Sequence, residues 1–249
     1  MHDRALLGIS GLTKWFGGVP AVSDVSLEIS QGEIHAIIGP NGAGKTTFLN
    51  LLSGELKPSA GQIRFKGTDV TGWAPDALAR AGIGRTFQHS SIMQSFSIFE
   101  NVRLAAQSRS GASFRMFSSA DVLANVAEVA RGAISAAGIT HPERLAAEAS
   151  HGERRQLEIA MLLATNSQLL LLDEPTSGMG RNETVELVSI LQKLRGEHTI
   201  ILVEHDMDAV FTLADRITVL VYGRVLATGT PEEVRQNAEV RAAYLGESR

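Results

Sequence analysis

Gly39-Pro40-Asn41-Gly42-Ala43-Gly44-Lys45-Thr46-Thr47 is the stretch whose reading decides the fold. It fits G-x-x-x-x-G-K-[ST], and its flanks are what that pattern needs. An apolar strand candidate, Ile34 to Ile38, leads in, and a helix candidate, Thr46 to Leu52, leads out. Glycines let such a loop curl so that successive backbone N–H groups point inward at phosphate oxygens. The helix that follows adds unpaired N–H groups and its positive dipole end. Lys45 is placed to reach the β and γ phosphates of a nucleotide, and the Thr46 hydroxyl to ligate Mg²⁺. A chance lysine after a Gly-rich turn would lack the strand before and the helix after.

Outward from the loop, short apolar runs alternate with helical stretches. Strand candidates are Ile34–Ile38, Ile83–Thr86, Gln168–Asp173, Thr199–Val203 and Ile217–Leu220. That alternation argues for a mostly parallel sheet in an α/β fold. Ahead of it, Val25, Leu27 and Ile29 alternate with Ser26 and Glu28, a half-buried strand pattern. With Leu7 to Trp15 and Ile63 to Lys66 they suggest an N-terminal antiparallel β element, punctuated by turns at Gln31-Gly32 and Ser59-Ala60-Gly61. Residues 90–163 read differently. They are helical in character and rich in Ala and Ser, with a helix expected over Asp121 to Ala137 and Val122, Val126, Val129 and Ala133 near one face. This segment reads as a helical subdomain inserted into a core of residues 1–89 and 164–249. Pro231 opens the first of two short helices expected in the tail.

Bulk properties narrow the function. The chain has 249 residues, 44% hydrophobic and 20% charged, and no cysteine. One large domain is expected, with no disulfide framework and no Cys-based metal site. The net charge of −4, without a basic run, argues against nucleic acid as a partner. Apolar runs such as Gln168 to Leu172 and Ile200 to Val203 are too short to cross a bilayer, so a soluble chain is expected, with any membrane role reached through a partner.

The second half supplies the chemistry that a phosphate loop lacks. Leu169-Leu170-Leu171-Leu172 is a buried-strand run ending in Asp173-Glu174. In open α/β sheets, ligands sit beyond the carboxyl ends of the strands. There Asp173 can hold Mg²⁺ through water, and Glu174 can act as general base on an attacking water. Gln88 and His205 each follow a strand candidate and are expected at the same sheet edge. Gln88 would ligate Mg²⁺ or sense the water, and His205 would bond the γ-phosphate. Ser150-His151-Gly152-Glu153 opens a helix, with Ser150 and Glu153 spaced as a capping box. The same helix start, with Ser150 and the Gly152 amide exposed, would receive a phosphate. Capping and phosphate contact share one geometry, and the sequence alone does not separate them.

The order of these motifs resembles the ATP-binding cassette ATPases, over essentially the whole chain. The resemblance implies a P-loop NTPase, RecA-like core. It also implies an aromatic on adenine, met here by Phe16 or Trp15 in Thr13-Lys14-Trp15-Phe16-Gly17-Gly18, with Phe16 the better fit by spacing to the glycines. It carries the glutamine loop onto Gln88, the signature onto Ser150–Glu153, the Asp-Glu pair onto Asp173-Glu174 and the switch histidine onto His205. The implied cofactors are ATP and Mg²⁺. The implied working unit is two cassettes head to tail, of which Ser150, Gly152 and Glu153 of one face the nucleotide of the other. Two positions depart from the family pattern: His151 replaces a glycine of the signature, and Gly180 stands where many cassettes carry aspartate.

Within the family the chain looks closest to the ATPase subunits of branched-chain amino-acid importers. The residues behind this are Arg85-Thr86-Phe87-Gln88-His89, Leu157-Glu158-Ile159-Ala160, Glu204-His205-Asp206-Met207 and Tyr244-Leu245-Gly246-Glu247. The last of these also occurs in the ATPase of the lipopolysaccharide exporter, so it does not decide direction, whereas Glu-His-Asp-Met leans toward importers. Urea, short-amide and aromatic-compound importers share these marks. The resemblance implies transmembrane permease partners, a second cassette, an indirect link to a substrate-binding protein, and a peripheral place on the cytoplasmic face of the plasma membrane. Phe96, Phe99, Phe114, Met116 and Phe117 are candidates to line the permease groove. The alternative readings are an exporter ATPase and a soluble cassette that works without a permease.

Overall fold

The computed structural model describes residues 5–86, 92–109 and 120–245. Strands β1 (Ala5–Phe16) and β2 (Val19–Ser30) form a long antiparallel hairpin. β3 (Ile34–Ile38) then enters the second sheet, and helix α1 (Lys45–Leu52) follows the phosphate loop. β4 (Ala60–Phe65) and β5 (Thr68–Asp69) complete a four-stranded antiparallel sheet in the order β2-β1-β4-β5. After α2 (Pro75–Ala81) and β6 (Ile83–Arg85) come α3 (Ile98–Arg109), α4 (Ala120–Ala136), a 3₁₀ turn at Ala146–Glu148 and α5 (His151–Ala164). The chain returns through β7 (Leu169–Asp173), α6 (Arg181–Leu194), β8 (Thr199–Val203), α7 (Met207–Leu213), β9 (Arg216–Val221), β10 (Arg224–Gly229), α8 (Pro231–Gln236) and α9 (Ala238–Leu245).

The six-stranded sheet runs β10-β9-β3-β8-β7-β6, and all its pairs are parallel except β10 with β9. Every residue of β3, β7 and β8 is buried. Their near-continuous apolar runs follow from being covered on both faces. The two-residue period of a strand then divides the core. Ile37, Leu169, Leu171, Ile201 and Val203 pack with Phe48 and Leu49 of α1 and with the antiparallel sheet. Leu170, Leu172, Ile200 and Leu202 face the other way, onto Leu157 of α5 and Leu187, Ile190 and Leu191 of α6. Ala36 and Ile38 meet Val210 of α7 and Val234 of α8. Burial of one such Leu or Ile side chain contributes about 1.5–3 kcal/mol. The sandwich therefore holds the carboxyl ends of the parallel strands rigidly along one edge.

Four details differ from the sequence reading. β2 begins at Val19 rather than Val25, because Gly17 and Gly18, both at positive φ, close a tight hairpin that pairs Phe16 with Val19. β5 and the antiparallel edge strand β10 were not expected. In α4 the buried stripe is Val126, Ala130, Ala133, Ile134 and Ala137, and Val129 is 40% exposed. At 100° per residue Val129 lies on the flank of a stripe centred on Ala130 and Ala137. The side chain of Val122, and all of Phe114, Met116, Phe117 and Gln88, lie outside the described residues.

Candidate nucleotide site

The phosphate loop joins β3 to α1, and close backbone approach dictates its glycines. A Cβ on Gly39 would collide with the Leu220 carbonyl oxygen, and one on Gly44 with the Ala21 carbonyl oxygen; both residues also sit at positive φ. Gly44 is the N-cap of α1, no side chain caps that end, and the first turn carries no acidic residue. The amides of α1 therefore open toward an anion. Lys45 is buried, and its Nζ donates to the carbonyls of Gly39 at 2.7 Å and Pro40 at 3.0 Å. Thr46, the next residue of α1, is exposed. The loop is pinned from behind, where the Gly223 N–H donates to the Ala43 carbonyl at 3.0 Å.

Phe16 stands at the tip of the β1–β2 hairpin, 48% exposed, with Lys14 Nζ 5.3 Å from its ring centroid. Trp15 is equally exposed and pairs with Pro20. Ala21 of the same hairpin touches Gly44, which brings this aromatic tip beside the phosphate loop. Tyr222, 85% exposed, precedes Gly223, which packs against Ala21 of the hairpin and bonds the phosphate loop at Ala43.

The parallel register brings the remaining residues level. Val203 of β8 lies opposite both Ile37 of β3 and Asp173 of β7. Asp173, Glu174 and His205 thus leave the sheet on the edge from which the phosphate loop springs. Glu174 Oε1 lies 2.8 Å from His205 Nε2, and both side chains are partly open to solvent. Glu174 takes φ 46°, a left-handed conformation that costs a glutamate about 1–3 kcal/mol and is held by the Glu174 N–H bond to the Val203 carbonyl. Asp173 is buried, with Oδ2 3.2 Å from Arg85 Nη2. Burial pushes its carboxyl up, Arg85 draws it back, and the adjoining Glu174 charge adds to the rise. Arg85 also donates to Ser53 Oγ at 2.9 Å and to Asn50 Oδ1, so it ties β6 to α1 and β7. The last described residue of this strand end is Thr86, two before Gln88, so nothing here bears on the Gln88 side chain.

Hard oxygen donors, the Thr46 hydroxyl and the Asp173 carboxylate, suit Mg²⁺. Among the described residues no three His, Cys, Asp or Glu side chains converge as a self-sufficient metal cage. An ion taking its other ligands from nucleotide phosphates and water fits that donor set.

Glu204, quoted above only as part of the importer mark Glu204–Met207, organises the loops around this edge. It is 3% exposed, its Oε1 accepts from the Thr176 N–H at 2.8 Å and hydroxyl at 2.6 Å, and its Oε2 accepts from the His205 N–H at 2.9 Å. The loop after Glu174 and the loop bearing His205 are thereby joined through one carboxylate.

At α5 the capping box is present: Ser150 Oγ accepts from the Glu153 N–H at 3.2 Å, and Glu153 Oε2 from the Ser150 N–H at 2.7 Å. Arg144 Nη1 holds the other oxygen of Glu153 at 2.9 Å. The expectation of an exposed Gly152 amide is corrected. Gly152 is buried, and its N–H donates to Glu183 Oε1 at 3.2 Å. His151, the departure in the signature, faces the loop after Glu174 and lies 3.0 Å from the Ser177 carbonyl through Nε2.

Residues 22–177 match the family model described as ABC transporter. This chain belongs to that family. As an ABC cassette it is an ATPase, and residues 224–249 match a second model, branched-chain amino acid ATP-binding cassette transporter. The chain is 41% identical to the high-affinity branched-chain amino acid transport ATP-binding protein LivG of Salmonella typhimurium, over 99% of this chain and 100% of that one. It is 38% identical to BraF of Pseudomonas aeruginosa over the same shares. Among solved structures the cassette is similar to the ADP conformation of MJ1267, an ATP-binding cassette of an ABC transporter, at 26% identity and a TM-score of 0.85 over 98% of this chain and 99% of that one. It is also similar to the dimeric post-hydrolysis MJ0796 cassette bound to ADP and Pi, at 25% identity and a TM-score of 0.75 over 90% and 98% of the chains. No helix among the described residues is long and apolar enough to cross a membrane.

Proposed function

We propose that this cassette hydrolyses ATP to drive uptake of branched-chain amino acids, or of other amino acids or small amides, through a permease pair at the cytoplasmic face of the membrane. A second cassette completes its sites, and a substrate-binding protein delivers the cargo. The full-length likeness to LivG and BraF supports the transport side of this reading. The observation that carries the hydrolytic side is the 2.8 Å contact between Glu174 and His205 beside the phosphate loop.

In this reading Phe16 stacks on adenine, and the loop Gly39–Thr47 wraps the phosphates with the amides of Gly39, Asn41, Gly42, Ala43, Gly44, Lys45, Thr46 and Thr47, while Pro40, which has no N–H, shapes the turn. Lys45 exchanges the Gly39 and Pro40 carbonyls for phosphate oxygens. Thr46, Gln88 and Asp173, the last through water, would hold Mg²⁺, which would neutralise phosphate charge. Glu174 takes the proton of a water whose oxygen attacks the γ-phosphorus, while the bond to the bridging oxygen breaks and ADP leaves. His205 holds Glu174 on one side and the γ-phosphate on the other. Ser150, Gly152 and Glu153 serve the partner's nucleotide, and the helices of residues 90–163 face the permease. The partly buried Phe99, with the Arg131 guanidinium 5.8 Å from its ring, and the 38% exposed Phe96 belong to that unit. The test is uptake of labelled leucine by native cells in which only this chain carries Glu174→Gln. Uptake should fall to background, and undiminished uptake contradicts the branched-chain reading.

A further inference from the structure

The N-terminus of α5 already holds an anion, and it is not a ligand. Glu183, on the first turn of α6, reaches across so that its Oε1 accepts from the Gly152 N–H at 3.2 Å and the Ser150 hydroxyl at 3.3 Å. Its Oε2 accepts from the Gly180 N–H at 3.0 Å. Hydrogen bonds from the Gly180 and Gly152 amides hold the Glu183 carboxyl below the usual carboxylate range. A Cβ on Gly152 would stand 2.7 Å from Glu183 Oε1, so the glycine at this position makes room for the carboxylate. The neighbouring donors are taken as well: the Ser150 N–H by Glu153, and the Glu153 N–H by Ser150. Glu153, Glu183 and Glu186 line one recess with Ser150 and Gly152. A phosphate approaching this helix start meets three carboxylates and finds the Ser150, Gly152 and Glu153 amides already bonded.

We propose that Glu183 is an internal substitute for the partner's nucleotide phosphate, occupying the Ser150–Gly152 seat in the unpaired cassette and leaving it when two cassettes close on ATP. The inference rests on the reading of Ser150 and Gly152 as phosphate contacts. Carboxylate and phosphate compete for the same amides and the same helix dipole, and their like charges forbid joint occupancy. The displacement sets how much ATP is needed for pairing. It also carries news of the partner's nucleotide inward. Glu183 holds Gly180 at the end of the loop that begins after Glu174, and His151 touches the same loop at Ser177. Departure of Glu183 releases one of those ties, so filling the partner's site bears on the loop that positions this subunit's own Glu174.

The experiment measures ATP-dependent pairing by analytical ultracentrifugation, in a Glu174→Gln background, for the chain alone and mixed with the second cassette of its transporter. Glu183→Gln keeps an oxygen acceptor for the Gly180 N–H and removes the charge. Glu183→Asp keeps the charge and shortens the reach. Both folded variants, checked by thermal melting, should pair at about threefold to tenfold lower ATP than the background. Ser150→Arg should abolish pairing in every case. Loss of pairing in Ser150→Arg with an unchanged or raised ATP requirement in both Glu183 variants overturns the substitute role and leaves the phosphate contact standing. Pairing that survives Ser150→Arg overturns the phosphate contact, and the role of Glu183 with it.

Discussion

Glu174 and His205, the proposed reacting groups, are held in place by few contacts. The strained backbone at Glu174 turns its carboxylate toward His205 instead of continuing the strand, and Glu204 anchors both flanking loops. Replacing Glu204 by Ala would leave the Thr176 N–H and hydroxyl and the His205 N–H without their acceptor. We expect a loss of about 2–4 kcal/mol, read by chemical denaturation, together with a fall in ATP turnover. A variant with wild-type stability would contradict this anchoring role. Glu174 and His205 were legible in the sequence, because each follows an apolar run that reads as a strand. Glu204 was not. A glutamate next to a strand end carries no mark of burial, and its partner Thr176 lies 28 positions away.

At the scale of elements, the parallel strands declared themselves through unbroken apolar runs, and the structure places them within a residue of expectation. β10 escaped notice because Arg224–Gly229 is half-exposed at a sheet edge and lacks such a run. Beneath the phosphate loop, β3 carries a polar thread through the core. His35 is fully buried, with Nδ1 2.7 Å from Glu33 Oε1 and Nε2 2.8 Å from Thr218 Oγ1. Burial acts to raise the Glu33 carboxyl, but the bonds from His35 and the Ser30 N–H prevail and leave it below its ordinary value of 4.5. The unfolded chain therefore binds that proton more readily than the folded one. The stabilisation is present above pH 4.5 and is lost as pH falls through the lower folded value. Glu33→Gln should melt below the wild type near neutral pH, with the gap closing in acid. A gap independent of pH would contradict the linkage.

At the scale of the whole molecule, the ends of β3, β7 and β8 bring together residues that are more than a hundred positions apart, and the order of motifs along the chain was enough to foresee it. The signature is a different matter. A capping box and a phosphate seat look identical in sequence, and only the fold revealed that Glu183, on another helix, fills the Gly152 amide. The proposed signature surface acts in a pair, whereas the proposed catalytic edge belongs to one chain. ATP binding and steady-state ATP turnover by wild type and Glu174→Gln, in the assembled transporter, test the proposed catalytic edge. We expect ATP affinity within about twofold of wild type and turnover lowered by about 10²–10⁴. Turnover at the wild-type rate would contradict it.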